Sequence, residues 1–143
     1  MTHTAKAAPT ILCPSVSSIG LDARVFGVLT GSAEDGFQVG YLTEALPPTP
    51  ELLAAAAPAN PTEVFRAAAP CVERACKHFD GANCQLAKRI ASMLDPVVGA
   101  LPRCAIRPVC RWFRQEGREA CLRCPQVATE KRNPTDLQTA VAG

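Results

Sequence analysis

Large aromatic side chains are scarce in this chain: one tryptophan, one tyrosine and five phenylalanines among 143 residues. Apolar residues make up 48%, but many of them are alanine, which buries little area per residue. A core so thin in large side chains commonly draws on a cross-link or a bound metal. Long hydrophobic runs are missing as well. No stretch approaches the ~18 apolar residues of a membrane span, and the opening Met1–Val16 has no apolar run of signal-peptide length after Lys6. The expectation is a cytoplasmic protein without a membrane segment. Histidine occurs twice, and there is no phosphate-binding glycine loop, no Gly-x-Ser-x-Gly elbow and no His-Glu-x-x-His. A cysteine nucleophile paired with His78 therefore has little support. An accessory role is expected before an enzymatic one, and an enzyme or maturation factor with a labile cluster ranks last.

Cysteine is what the chain has in excess. Seven of eight fall in the C-terminal half, as Cys71-x4-Cys76-x7-Cys84 and Cys104-x5-Cys110-x10-Cys121-x2-Cys124, with Cys13 far upstream. In a reducing compartment such spacings point to metal ligands or redox groups before disulfides. Soft thiolates in this number select zinc or an iron–sulfur cluster. Structural zinc sites usually present paired C-x2-C loops; here there is one, and the remaining intervals are irregular. Irregular spacing ending in Cys124-Pro125 favours iron–sulfur ligation, although Cys13-Pro14 shows the same dipeptide. The expected cofactor is one or two iron–sulfur clusters, of the 4Fe–4S kind, with zinc as the alternative. Candidate ligands are Cys71, Cys76, Cys84, Cys104, Cys110, Cys121 and Cys124. His78 or Cys13 is available to complete the first group, although a lone cysteine is more often a small buried hydrophobe.

Helix geometry limits how the second group can be used. On one unbroken helix Cys110 and Cys121 would stand about 16 Å apart, too far for one centre. A shared centre requires the helix to end at Gly117 and the chain to turn back.

Two β-prone runs, 23–30 and 37–43, flank a Gly31–Gly36 loop and predict a hairpin, to which residues 10–16 can add a strand. Leu46–Pro61 holds five prolines and reads as a connector with one short helix capped by Thr49. Asn60-Pro61 signals a second helix start, running through Ala68 until Pro70 ends it. Leu86, Ile90, Leu94, Val97, Val98 and Leu101 make a helical apolar face interrupted at Pro96, and a further helix runs from Pro108 to Glu116. The expected fold is α+β: a small N-terminal β-hairpin or sheet (residues 1–45), a proline- and alanine-rich connector (46–61), a helical, cysteine-rich metal-binding module (62–128) and a disordered tail (129–143). Residues 1–9 read as a loose tail.

Charge is uneven. Residues 1–70 carry three basic and six acidic side chains, whereas residues 101–132 carry eight basic and three acidic. Arg107, Arg111, Arg114 and Arg118 recur at helical spacing, and with Trp112 they form a candidate docking face. The partner is an acidic protein surface or a redox protein, with nucleic acid as the alternative. The other reading of the stripe is a solvated face. Trp112 can equally be a lid over the metal site.

Over Cys76–Cys84 and Leu101–Gln126, roughly the C-terminal 60 residues, the chain resembles small cysteine-rich bacterial proteins of unassigned function. The resemblance implies that these cysteines act as a set and supplies no reaction. The spacing differs from the C-x2-C-x2-C of ferredoxins and from the actinobacterial iron–sulfur regulators. Two functions are thus expected in order: an iron–sulfur redox or sensor protein docking through its basic helix face, then a zinc-stabilised adaptor or nucleic-acid-binding module without a redox role.

Overall fold

The computed structural model describes residues 10–32, 36–131 and 133–143. The expected N-terminal tail and the tip of the hairpin loop lie outside them. Four strands, β1 (Leu12–Cys13), β2 (Arg24–Ser32), β3 (Gly36–Leu46) and β4 (Phe65–Pro70), form one antiparallel sheet in the order β1-β4-β2-β3. With the helices that follow, the class is α+β. Among the described residues no helix is long and apolar enough to cross a membrane.

The β2–β3 hairpin forms as its sequence predicts, with Leu29 opposite Val39 and Thr30 opposite Gln38. Its register shifts between Val25 and Gly27. A Cβ on Gly27 would stand 2.5 Å from Val39 Cγ1, so only glycine fits this close crossing.

β4 departs from expectation. The helix begun at Pro61 stops after Val64, and Phe65–Pro70 continues as a strand between β1 and β2. Alanine-rich sequence favours a helix locally, but pairing on both edges and burial on both faces override that preference. Residues 65–69 are each at most 9% exposed. Phe65, Ala67 and Ala69 face a core with Ala23, Val25 and Ala56, whereas Ala68 joins Phe26, Ile90 and Trp112 on the opposite face. The segment expected to be a purely helical cysteine module thus contributes a strand to the sheet, and sheet and cysteines share a core.

The first core is covered by α1 (Pro50–Ala54), capped as expected by Thr49 Oγ1 accepting from Leu52 N–H at 3.2 Å, and by α2 (Pro61–Val64). The second is covered by α3 (Gln85–Met93), α4 (Arg111–Glu116), α5 (Arg118–Arg123) and α6 (Asp136–Ala142). Leu94 ends α3 ahead of Asp95-Pro96, and no helix restarts there. Gly117, at φ 68°, ends α4 and turns the chain into α5, the break that a shared second centre required. The tail does not run out as coil. Thr135 and Gln138 form a capping box that starts α6, and Val141 packs into the second core.

Candidate metal centres

The cysteines sort into two sets of four. In the first, β1 carries Cys13 opposite Ala69, and Cys71 follows β4 with its N–H donating to Ile11 O at 2.9 Å. The loop 76–84 returns on itself: Phe79 N–H donates to Cys76 O at 3.1 Å, and Phe79 bridges to Cys84. Asp80 Oδ1 holds the turn by accepting from Ala82 and Asn83 N–H. Cys84 then caps α3, its Sγ accepting from Ala87 N–H at 3.5 Å. Burial pushes the Cys13 thiol up to about 11, and the charges of Cys71, Cys84 and Cys76 add to the shift. Cys84 is likewise raised by burial first and by Cys76 and Cys71 after it. Cys13, the cysteine with the weakest claim from sequence, is therefore the fourth member of the first set.

The second set surrounds one narrow cavity beneath the sheet, lined by Cys104, Cys110, Cys121 and Cys124 together with Phe26, Tyr41 and Trp112. The reversal at Gly117 brings Cys121 and Cys124 back to Cys110. Burial pushes Cys110 up to about 12, with Cys124 and Cys104 contributing. Cys104 is raised by burial and by Cys124 and Cys121. Cys121 is raised by burial, an effect reduced by a hydrogen bond from Arg107. Thiols whose ionisation burial and their neighbours oppose, as at Cys104, Cys110 and Cys121, are the arrangement that a bound cation relieves.

Arg66 of β4, which carried no signal in the sequence, completes this second site. It is fully buried, with its guanidinium over the rings of Phe26 and Trp112 at 5.2 and 5.3 Å. It donates to Pro14 O (3.1 and 2.8 Å), Val127 O (2.8 Å), Cys124 O (3.3 Å) and Cys124 Sγ (3.5 Å). Among the described residues no carboxylate pairs with it. A buried cation without an anion is strongly unfavourable, and the charge available to balance it is that of the thiols. Among the described residues Trp112 Nε1 is a buried donor without a partner, the buried Tyr41 hydroxyl lies beside the Cys124 thiol, and both residues line the cavity. Burial and then the charge of Cys124 raise the Tyr41 pKa, so the hydroxyl keeps its proton.

The other predicted site residues are placed differently. His78 Nδ1 meets Arg89 Nη2 at 3.0 Å, and burial, with Arg89 and Lys77, lowers its pKa; it meets the cysteines through its backbone, whose N–H donates to Cys76 Sγ at 3.4 Å. The arginine stripe is spread over three elements, with Arg107 in a 3-10 turn, Arg111 and Arg114 on α4 and, past Gly117, Arg118 on α5. Arg107 bonds Pro102 O and lies over Phe113, and Arg111 pairs with Glu73 at 3.0 Å and lies over Phe79. Arg114 and Arg118 stay exposed, each donating to a backbone carbonyl. Trp112, expected as part of a docking face, is 1% exposed and lines the cavity with the four cysteines. Gln115 of α4 grips Cys84, accepting from its N–H at 2.7 Å and donating to its carbonyl at 2.8 Å.

The chain matches no protein-family model, no curated protein and no solved structure. Its chemistry rests on the donors themselves. As the side chains stand, no three His, Cys, Asp or Glu residues among those described are gathered tightly enough for one metal ion. Thiolates sharing one zinc stand about 3.8 Å apart, by tetrahedral geometry; those at the corners of a multi-iron cluster stand further apart.

Proposed function

We propose that the protein carries two iron–sulfur centres, one on Cys13, Cys71, Cys76 and Cys84 and one on Cys104, Cys110, Cys121 and Cys124, and works in electron transfer or redox sensing. The observation that carries this reading is the fully buried, carboxylate-free guanidinium of Arg66 against Cys124. A metal–thiolate centre is net negative and supplies the missing counter-charge. The all-thiol donor sets, their spacing, the unpartnered Trp112 donor and the Tyr41 hydroxyl beside Cys124 support it, because thiolate and sulfide sulfurs accept hydrogen bonds. Such centres, when bound, take up and release single electrons. The chain's own part is to hold eight thiols in two sets, to balance charge through Arg66, to donate from Arg107 to Cys121, and to keep water from the second set with Phe26, Tyr41 and Trp112. The resemblance to small cysteine-rich bacterial proteins agrees with the cysteines acting together. No partner is assigned, and the basic face is reduced to Arg114 and Arg118.

The test is iron, sulfide and zinc analysis of protein purified without oxygen. Brown protein with iron and acid-labile sulfide is expected. Cys13→Ala and Cys84→Ala should each remove the same half of the iron, and their combination should remove no more. Combining either with Cys104→Ala should remove the rest. Colourless protein holding stoichiometric zinc would overturn the reading and leave a zinc-stabilised fold.

A further inference from the structure

A second cavity, of about 530 Å3, lies away from the buried thiols between α3, α6 and the segment that joins α5 to α6. This is the size of a small-molecule site. Its floor is apolar: Leu86, Ile90 and Leu94 of α3 with Val141 of α6. From Leu86 to Leu94 the floor runs about 12 Å along the helix axis, enough for an extended eight-carbon chain.

The polar part of the wall is biased to one sign. Lys131 is half-buried, and burial alone lowers its pKa. Among the described residues no carboxylate pairs with it. Lys77 is a second cation at the rim. The single acidic side chain in the wall, Glu130, is already engaged, accepting from Asn60 Nδ2 at 3.1 Å and Thr62 Oγ1 at 3.1 Å. An unpaired, partly desolvated ammonium beside an apolar floor calls for a ligand with one anionic end and a hydrocarbon body.

We propose that this cavity binds a small organic carboxylate with an apolar chain, its carboxylate on Lys131 and its chain over Leu86, Leu94 and Val141. The inference stands whether or not the thiol sets hold metal.

Octanoate and its uncharged analogue octanol, titrated separately into the full chain below micellar concentrations and followed by calorimetry and amide NMR shifts, test it. Octanoate should bind saturably, shift α3 and α6 amides, and bind at least tenfold more tightly than octanol. Lys131→Met should bring octanoate down to the octanol level and leave octanol unchanged. Ala128→Trp, which fills the cavity from the half-exposed wall, should abolish both. Absence of saturable octanoate binding would overturn the proposal. So would equal affinity for octanol, or octanoate affinity unaffected by Lys131→Met.

Discussion

Replacing Arg66 by methionine distinguishes a charge-balancing arginine from a merely structural one. The substitution keeps the apolar stem and removes donors from three carbonyls, of Pro14, Cys124 and Val127. Each orphaned acceptor costs about 1–3 kcal/mol, and this loss is common to the protein with and without metal. The charge contribution is not common to both. In metal-free protein burial pushes the nearby Cys110 thiol up to about 12 and no metal-bound negative centre faces the guanidinium, so less attraction is lost. In loaded protein the variant leaves a buried negative centre without its partner, at a cost of about 3–5 kcal/mol. Unfolding free energies of wild type and Arg66→Met, each with and without metal, should therefore show a destabilisation larger in the loaded form by about 3 kcal/mol. By linkage the centre is retained less tightly by the same factor, about a hundredfold. Iron release to a chelator reads this even if stripped protein unfolds. Arg66→Lys, which keeps the charge but not the fork of donors, should recover part of the retention. Equal destabilisation in both forms, with unchanged iron release, would refute the reasoning.

Three further outcomes are expected. Gly117→Ala meets nothing within 4 Å of its new Cβ, so its cost is conformational, about 1–3 kcal/mol for an alanine at φ 68° and ψ −146°; a denaturant midpoint within error of wild type would contradict this. Asp80 accepts two backbone N–H bonds, from Asn83 and Ala82, which hold its pKa below the ordinary 3.8. The stabilisation it gives the 76–84 loop is present above pH 3.8 and lost as pH falls through the lower folded value; a carboxyl NMR titration at or above 3.8 would exclude it. Thr135→Ala removes the acceptor of Gln138 N–H and should cost about 1 kcal/mol. It should speed hydrogen exchange in α6 while leaving β4 amides protected.

What could be read from sequence was whatever local chemistry decides. The hairpin, the Thr49 cap, the apolar face of α3 and the break at Gly117 each follow from neighbouring residues, and each is present. β4 was not legible, because Phe65-Arg-Ala-Ala-Ala is helical by propensity and becomes a strand only between two partners distant in sequence. Arg66 was hidden with it, since an arginine in a short helix reads as a solvated cation. Cys13 looked solitary for the same reason: its neighbours come through the β1–β4 pairing, nearly sixty residues away in the chain. α6 was missed although its signal was local, the Thr135-x-x-Gln138 box with Leu137 and Val141 one turn apart. The polar composition around it masked the pattern. The two helices on either side of Gly117 also undid the arginine stripe, which is continuous in sequence spacing and divided in space.

The guanidinium of Arg66 joins the carbonyl of Pro14 to those of Cys124 and Val127, and that convergence sets a timetable for the newborn chain. At a synthesis rate of about 5–20 residues per second, roughly 6–23 s separate Pro14 from Val127 at the ribosome. Through the second half of that interval the strand bearing Arg66 is complete and its cation has no lid, since α4 and α5 are still being made. The pocket for this one side chain closes only after residue 127 has emerged. Assembly of the cysteine-rich half thus waits for both ends of this span, and a truncation that removes Pro14 or Val127 leaves a charge stranded under a sheet.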